Sequence, residues 1–91
     1  MKCVISVMGC DRTGIVAAVA TALAECSANI DDINQTVLGK NELFCMTMLT
    51  TLNTEVCGFD EVQQRLNAVG EELGMQVTIQ REDVFRFMHE I

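Results

Sequence analysis

The apolar residues of this chain repeat at two different spacings, and the order in which the spacings alternate leaves few folds open. Ile15, Val16, Val19, Ala22, Leu23 and Cys26 recur at i, i+1, i+4, i+7, i+8 and i+11. That is one face of an amphipathic helix, and the alanines between are strong helix formers. Phe59, Val62, Leu66, Val69 and Leu73 form a second stripe at 0, 3, 7, 10 and 14, with Gly74 placed to close the helix. The segments around these stripes are extended. Lys2 to Met8 is short, apolar and β-branched. Ile30 to Leu38 is a weaker strand, interrupted by Asp31, Asp32, Asn34 and Gln35, and Gly39-Lys40-Asn41 turns it into the long apolar strand Leu43 to Leu52 as a hairpin. Met75 to Arg81 alternates, with Met75, Val77 and Ile79 on one side.

Strand, helix, strand, strand, helix, strand, joined by right-handed crossovers, is an α+β fold of the ferredoxin-like βαββαβ kind. It implies a four-stranded antiparallel sheet with two helices on one face. The expected organisation is one domain over residues 1–91, with the core in 1–82. Residues 83–91 form a short helical tail capped by Asp83, with apolar residues at 84, 87, 88 and 91. The other sheet face needs a cover, for which the tail (Val84, Phe85, Phe87, Met88, Ile91) and a second subunit are the two candidates. A 91-residue chain buries only about 60–65% of its unfolded surface, which favours sharing apolar surface with a second copy.

Charge and cysteine usage exclude several classes. Thirteen acidic against six basic residues give a net charge of -7, which repels phosphate backbones and anionic lipid. Aromatic residues are 4% of the chain, without Trp or Tyr, so base stacking has no platform. Nucleic acid and membrane are therefore not expected partners. Cys3, Cys10, Cys26, Cys45 and Cys57 contain no CxxC pair, and the single histidine, His89, is read as a tail residue without chemical duty. No metal site and no cofactor are expected. With no secretory signal opening the sequence, the thiols are read as reduced in a cytoplasm and mostly buried. Cys10 is the exception, in a loop beside a helix N-terminus where a thiolate is stabilised.

The loop Gly9 to Val16 (GCDRTGIV) carries most of the chemistry. It feeds a helix N-terminus, whose unpaired N–H groups and positive dipole end receive a carboxylate or other small anion. Gly14 allows close approach, because it has no Cβ. The plainer reading is a turn in which Asp11 or Thr13 supplies the N-cap oxygen. Arg12 serves either an anion or a nearby carboxylate. Asp31 and Asp32 are adjacent on a strand and point to opposite faces, so they are read as solvated or hairpin-edge carboxylates rather than ligands of a cation. Met46 and Met48 face the same way as Phe44 and are read as core or interface packing.

The stretch GCDRTGIVAAVATALAECSANIDDI resembles the signature of the ACT domain, a small regulatory module that binds amino acids and related metabolites. Asp11-Arg12-Thr13-Gly14-Ile15 match the [DN]-R-x-G-[IVL] loop of that family, and Asn29-Ile30 match the pair opening its second strand. The ending REDVFRFMHEI is similar to that of short proteins made of one such domain. The resemblance implies a non-catalytic homodimer with a small ligand between the loop of one chain and the second strand of its neighbour. The implied ligand residues are Asp11, Arg12, Thr13, Gly14, Ile15, Asn29 and Ile30. Backbone N–H groups near Gly14 and Ile15 would hold an α-carboxylate, and Asn29 or Asp11 would bond an α-ammonium. Thr13 stands where many members carry Pro. With one such domain and no attached enzyme, any regulated activity belongs to another protein. The alternatives are a protein-interaction adaptor without a ligand, or an acylphosphatase-type hydrolase using Arg12, for which a convergent general base is missing.

Overall fold

The computed structural model describes residues 1–39 and 42–89, of His89 the backbone alone. The elements are β1 (Lys2–Cys10), α1 (Ile15–Glu25), β2 (Asn29–Leu38), β3 (Leu43–Thr51), α2 (Phe59–Leu73), β4 (Gln76–Arg81) and α3 (Glu82–His89). The expected fold is the one observed. The strands form one antiparallel sheet in the order β2-β3-β1-β4. Lys40 and Asn41, the tip of the expected hairpin turn, and Ile91 of the tail lie outside the described residues.

Alternation decides which face each strand residue covers. Cys3, Ile5 and Val7 of β1, Phe44, Met46 and Met48 of β3, and Ile79 of β4 point to the helices and are buried with Ile15, Val19, Ala22, Leu23 and Cys26 along α1. Val62 and Leu66 complete the core from α2, with Phe59, Val69 and Leu73 half-buried beside them. Both helical stripes therefore face the sheet as expected. The apolar stripe of α2 omits Gly70, which is also buried. A Cβ there would lie 2.9 Å from the Met75 carbonyl oxygen and 3.0 Å from Val77 Cγ2, so glycine is what lets α2 and the start of β4 approach. Gly74 ends α2 in the left-handed conformation, at φ 68.

The outer face is only partly covered. α3 packs against β1 and β4, and Gln80 donates from Nε2 to Met88 Sδ at 3.8 Å. Val4, an outward-facing residue paired with Gln80 and Leu49, is buried. The described part of the tail does not close the face: Phe87 is 85% exposed and Met88 62%, and Met8, Leu43 and Leu49 are exposed on the strands. α3 begins at Glu82, so Asp83 lies within its first turn rather than before it, where it bonds Arg81 at 2.8 Å and accepts from its neighbour Val84 N–H.

Three of the five thiols, Cys3, Cys26 and Cys57, are buried, Cys45 is half-buried and Cys10 is exposed. Cys10 is the last residue of β1 and not part of the loop, because the strand runs two residues further than its apolar stretch. Backbone pairing with Leu43, absent from the local sequence signal, extends it. Among the described residues, no group of His, Cys, Asp and Glu is placed to hold a metal ion, and no helix is long and apolar enough to cross a membrane.

Candidate functional site

Residues 11–14 connect β1 to α1 at one end of the sheet, and all four are exposed. The Asp11 N–H donates to the Glu42 carbonyl at 2.8 Å, which fastens the start of the loop to the strand-β3 side. Arg12 Nη1 donates to the Leu73 carbonyl at 3.1 Å, in the last turn of α2. The guanidinium thus caps the negative end of a helix, and among the described residues it forms no ion pair with a carboxylate. Gly14 is the N-cap of α1, at φ 88 and ψ 5, with no side-chain cap. The expected cap by Asp11 or Thr13 is not formed. A left-handed residue at this position turns the chain so that neither side-chain oxygen returns to the first turn.

The outcome is a helix end with unusually little on it. Its first turn contains no acidic residue, and a Cβ at Gly14 would meet nothing within 4 Å. The backbone N–H groups of that turn, at the positive end of the dipole, have no side-chain cap. Ile15 is buried, so it can offer a ligand only its backbone.

Asn29 and Ile30 open β2 at the opposite end of the sheet. Asn29 pairs with Thr51, and Thr51 pairs with Lys2, the first residue of β1. The loop leaves the last residue of that strand, eight residues on, about 26 Å at ~3.3 Å per step. One chain therefore does not bring the two halves of the expected site together. Ile30 is half-buried against the core, whereas Asn29 is exposed.

The start of β2 holds residues that sequence reasoning left aside. Asn29 Nδ2 donates to Asp31 Oδ1 at 2.6 Å, and Thr51 Oγ1 donates to Asp31 Oδ2, also at 2.6 Å. The pairing of β2 with β3 shifts register between Ile30 and Asp32, a bulge that leaves Asp31 without a partner of its own. The bulge breaks the expected alternation. Asp31 reaches Thr51 while Asp32 pairs with Leu49, the next β3 residue on that same side, so the two carboxylates do not point to opposite faces. The bonds from Thr51 and Asn29 hold the Asp31 carboxyl below the usual carboxylate range, helped by nearby Lys2. Asp32 accepts from the Ile33 N–H at 2.9 Å.

β2 is also an unpaired edge. It lies at the end of the strand order, and every residue but Ile30 is exposed, including Ile33, Val37 and Leu38. Ten residues of open backbone with apolar side chains are a template for another strand. Open grooves of 450, 440 and 410 Å³ occur elsewhere: beside α3 with Met1 and Arg86, between α1 and α2, and at the end of α2. None of these three is lined by residues 11–15 or 29–30.

Comparison with known proteins follows the same lines. The profile of the ACT domain matches residues 2–80. A UPF0237 protein of Methanocaldococcus jannaschii is 47% identical over 90 residues, 99% of this chain and 98% of the relative. Among solved structures, an ACT domain protein from Streptococcus pneumoniae is similar at TM-score 0.79 and 39% identity, covering 93% of each chain. The regulatory subunit of aspartate kinase from Thermus flavus is similar at TM-score 0.65 and 28% identity, over 88% of this chain and 51% of that one.

Proposed function

Because this chain belongs to the ACT domain family, we propose that it is a regulatory protein binding an amino acid or related small metabolite between two copies of itself. The observation that carries the reading is the placement of the site's halves relative to the open β2 edge. β2 runs parallel to β1, so Leu38, Leu43 and Cys10 share the end from which the loop departs. If two β2 strands pair antiparallel about a two-fold axis, Asn29 of the partner subunit comes to that end. Each uncapped α1 N-terminus then faces the start of a neighbouring β2, and two equivalent sites form.

The chemistry of the halves is complementary to a zwitterion. N–H groups around Gly14 and Ile15 receive the carboxylate, and the acceptors at the start of β2 receive the ammonium. Arg12, engaged by the Leu73 carbonyl, supports the loop from below rather than cradling a phosphate, which weighs against the hydrolase alternative. No catalysis is proposed. Regulation acts through a ligand-dependent shift in pairing. We place the protein in the cytoplasm.

A thermal-shift series with each standard L-amino acid tests the reading. A shift with one ligand or a small group, abolished by Gly14→Val, is the expected result. An adaptor gives no shift with any of them, and a hydrolase turns over an acyl phosphate; either outcome overturns the proposal.

A further inference from the structure

We infer that Met8, Cys10 and Cys45 form a three-sulfur site for a soft monovalent cation, copper(I) among the first-row metals. The site is independent of the ligand site proposed above, and none of its residues belongs to the ACT-like motif matched at residues 11–15 and 29–30.

Strand register supplies the argument. Met8 pairs directly with Cys45 across β1 and β3, and Cys10 pairs with Leu43, so the three side chains leave one face of the sheet at adjacent positions. It is the outer face, because the intervening Val7, Phe44 and Met46 point to the helices and are buried. Directly opposed residues have Cβ atoms about 5 Å apart, and diagonal or alternate ones about 6–7 Å. Three sulfurs at ~2.3 Å from one ion stand about 4 Å from each other, which these side chains reach by leaning over the triangle between them. The diagonal Cys10 and Cys45 have backbones about 7–8 Å apart, longer than a disulfide tolerates. The pair therefore stays as two free thiols rather than closing on itself.

Access and donor chemistry select the ion. Met8 and Cys10 are exposed and Cys45 is half-buried, whereas Cys3, Cys26 and Cys57 lie in the core, out of reach of a hydrated cation. The cross-strand neighbours of the cluster, Leu43, Thr36 and Gln76, are neutral and bring neither imidazole nor carboxylate. Tetrahedral zinc thus lacks its fourth strong ligand among them, and a hard cation lacks its anionic oxygens. Two thiolates and a thioether suit copper(I), which is soft and stable with three ligands. On binding, two thiolate bonds and one thioether bond to the ion form, both thiol protons leave to solvent, and no electron is transferred. The net charge of -7 draws a cation toward the chain. Cys10 is the last residue before the loop, so the ion also ties the start of that loop to β3.

Anaerobic titration of the reduced protein with copper(I), in competition with the chromophoric chelator bicinchoninate, tests the inference. One ion per chain is expected, with a thiolate-to-copper charge-transfer band in the ultraviolet. Cys10→Ser and Cys45→Ser each weaken uptake by at least about a hundredfold and Met8→Leu by about tenfold, since loss of a ligand costs more than loss of a group behind one. Copper(I) loading also shields Cys10 and Cys45 together from alkylation, read by mass spectrometry, which needs no variant to fold. No uptake against the chelator, unchanged uptake by any of the three variants, or alkylation of either thiol in the loaded protein overturns the inference. So does zinc binding tighter than copper(I).

Discussion

Replacing Gly14 by alanine separates the backbone role of this position from its role toward a ligand. The residue holds φ 88, and a Cβ there would meet nothing within 4 Å, so no steric clash contributes. What remains is conformational. An L-residue in the left-handed region costs about 1–2 kcal/mol. Alanine also restricts the unfolded chain, which returns about 0.4–1 kcal/mol. The net loss is about 1 kcal/mol, and for a domain of this size that lowers Tm by about 4–8 °C. Asparagine tolerates the region better, so Gly14→Asn loses less than Gly14→Ala. Both variants place a side chain where the carboxylate approaches, so both weaken binding, and in opposite order to their stability cost if side-chain bulk decides. Melting followed by circular dichroism, at one fixed protein concentration, measures the first effect. A Tm unchanged by Gly14→Ala refutes the left-handed turn. A loss beyond about 4 kcal/mol refutes the open space around it, because cost on that scale requires clash or an orphaned group.

Other predictions follow from single contacts. Gly70→Ala places a methyl 2.9 Å from a carbonyl oxygen that cannot turn aside, and it destabilises by about 1–3 kcal/mol in denaturant titration, without touching the site. In the native protein, a disulfide reagent reacts quickly at neutral pH with Cys10 and slowly with Cys45. Cys57 stays unreactive until denaturation, since the bond to Glu61 and burial push its thiol up to about 12, and Cys3 behaves alike because burial raises it. Asp31 has a folded pKa below its unfolded one, so its stabilising contribution is complete above the unfolded value of about 3.9 and is lost as pH falls through the folded value. A melting series across that range therefore shows a smaller acid-induced loss for Thr51→Val, which removes the leading cause of the depression.

The two helices and three of the strands were legible because their signals are periodic and local. The stripes of α1 and α2 survive any single exception, and alternation at Met75, Val77 and Ile79 points unambiguously inward. The site was legible by halves. Residues 11–15 announce a loop and helix start, yet the cap fell on Gly14, which has no side-chain oxygen to signal it. The partner of Arg12 is a backbone carbonyl 61 residues away, and a carbonyl leaves no trace in residue identity. The Asp31 cluster was illegible for a third reason. A bulge is a property of register between β2 and β3, and neither strand's own sequence encodes which residue will be the extra one. Burial of Val4 likewise depends on where α3 packs, not on β1.

The central claim is that each site is built from the loop of one chain and the β2 start of another. Complementation between two inactive variants tests it most directly. Gly14→Val disables every loop half and Asn29→Ala every strand half, so neither variant alone binds the amino acid found by thermal shift. Unfolded together and refolded, they form mixed dimers in which one site carries both substitutions and the other carries none. The account predicts that calorimetry of the mixture recovers binding, at wild-type affinity and with about a quarter of the sites occupied when pairing is random. A mixture that binds no better than either variant alone contradicts it.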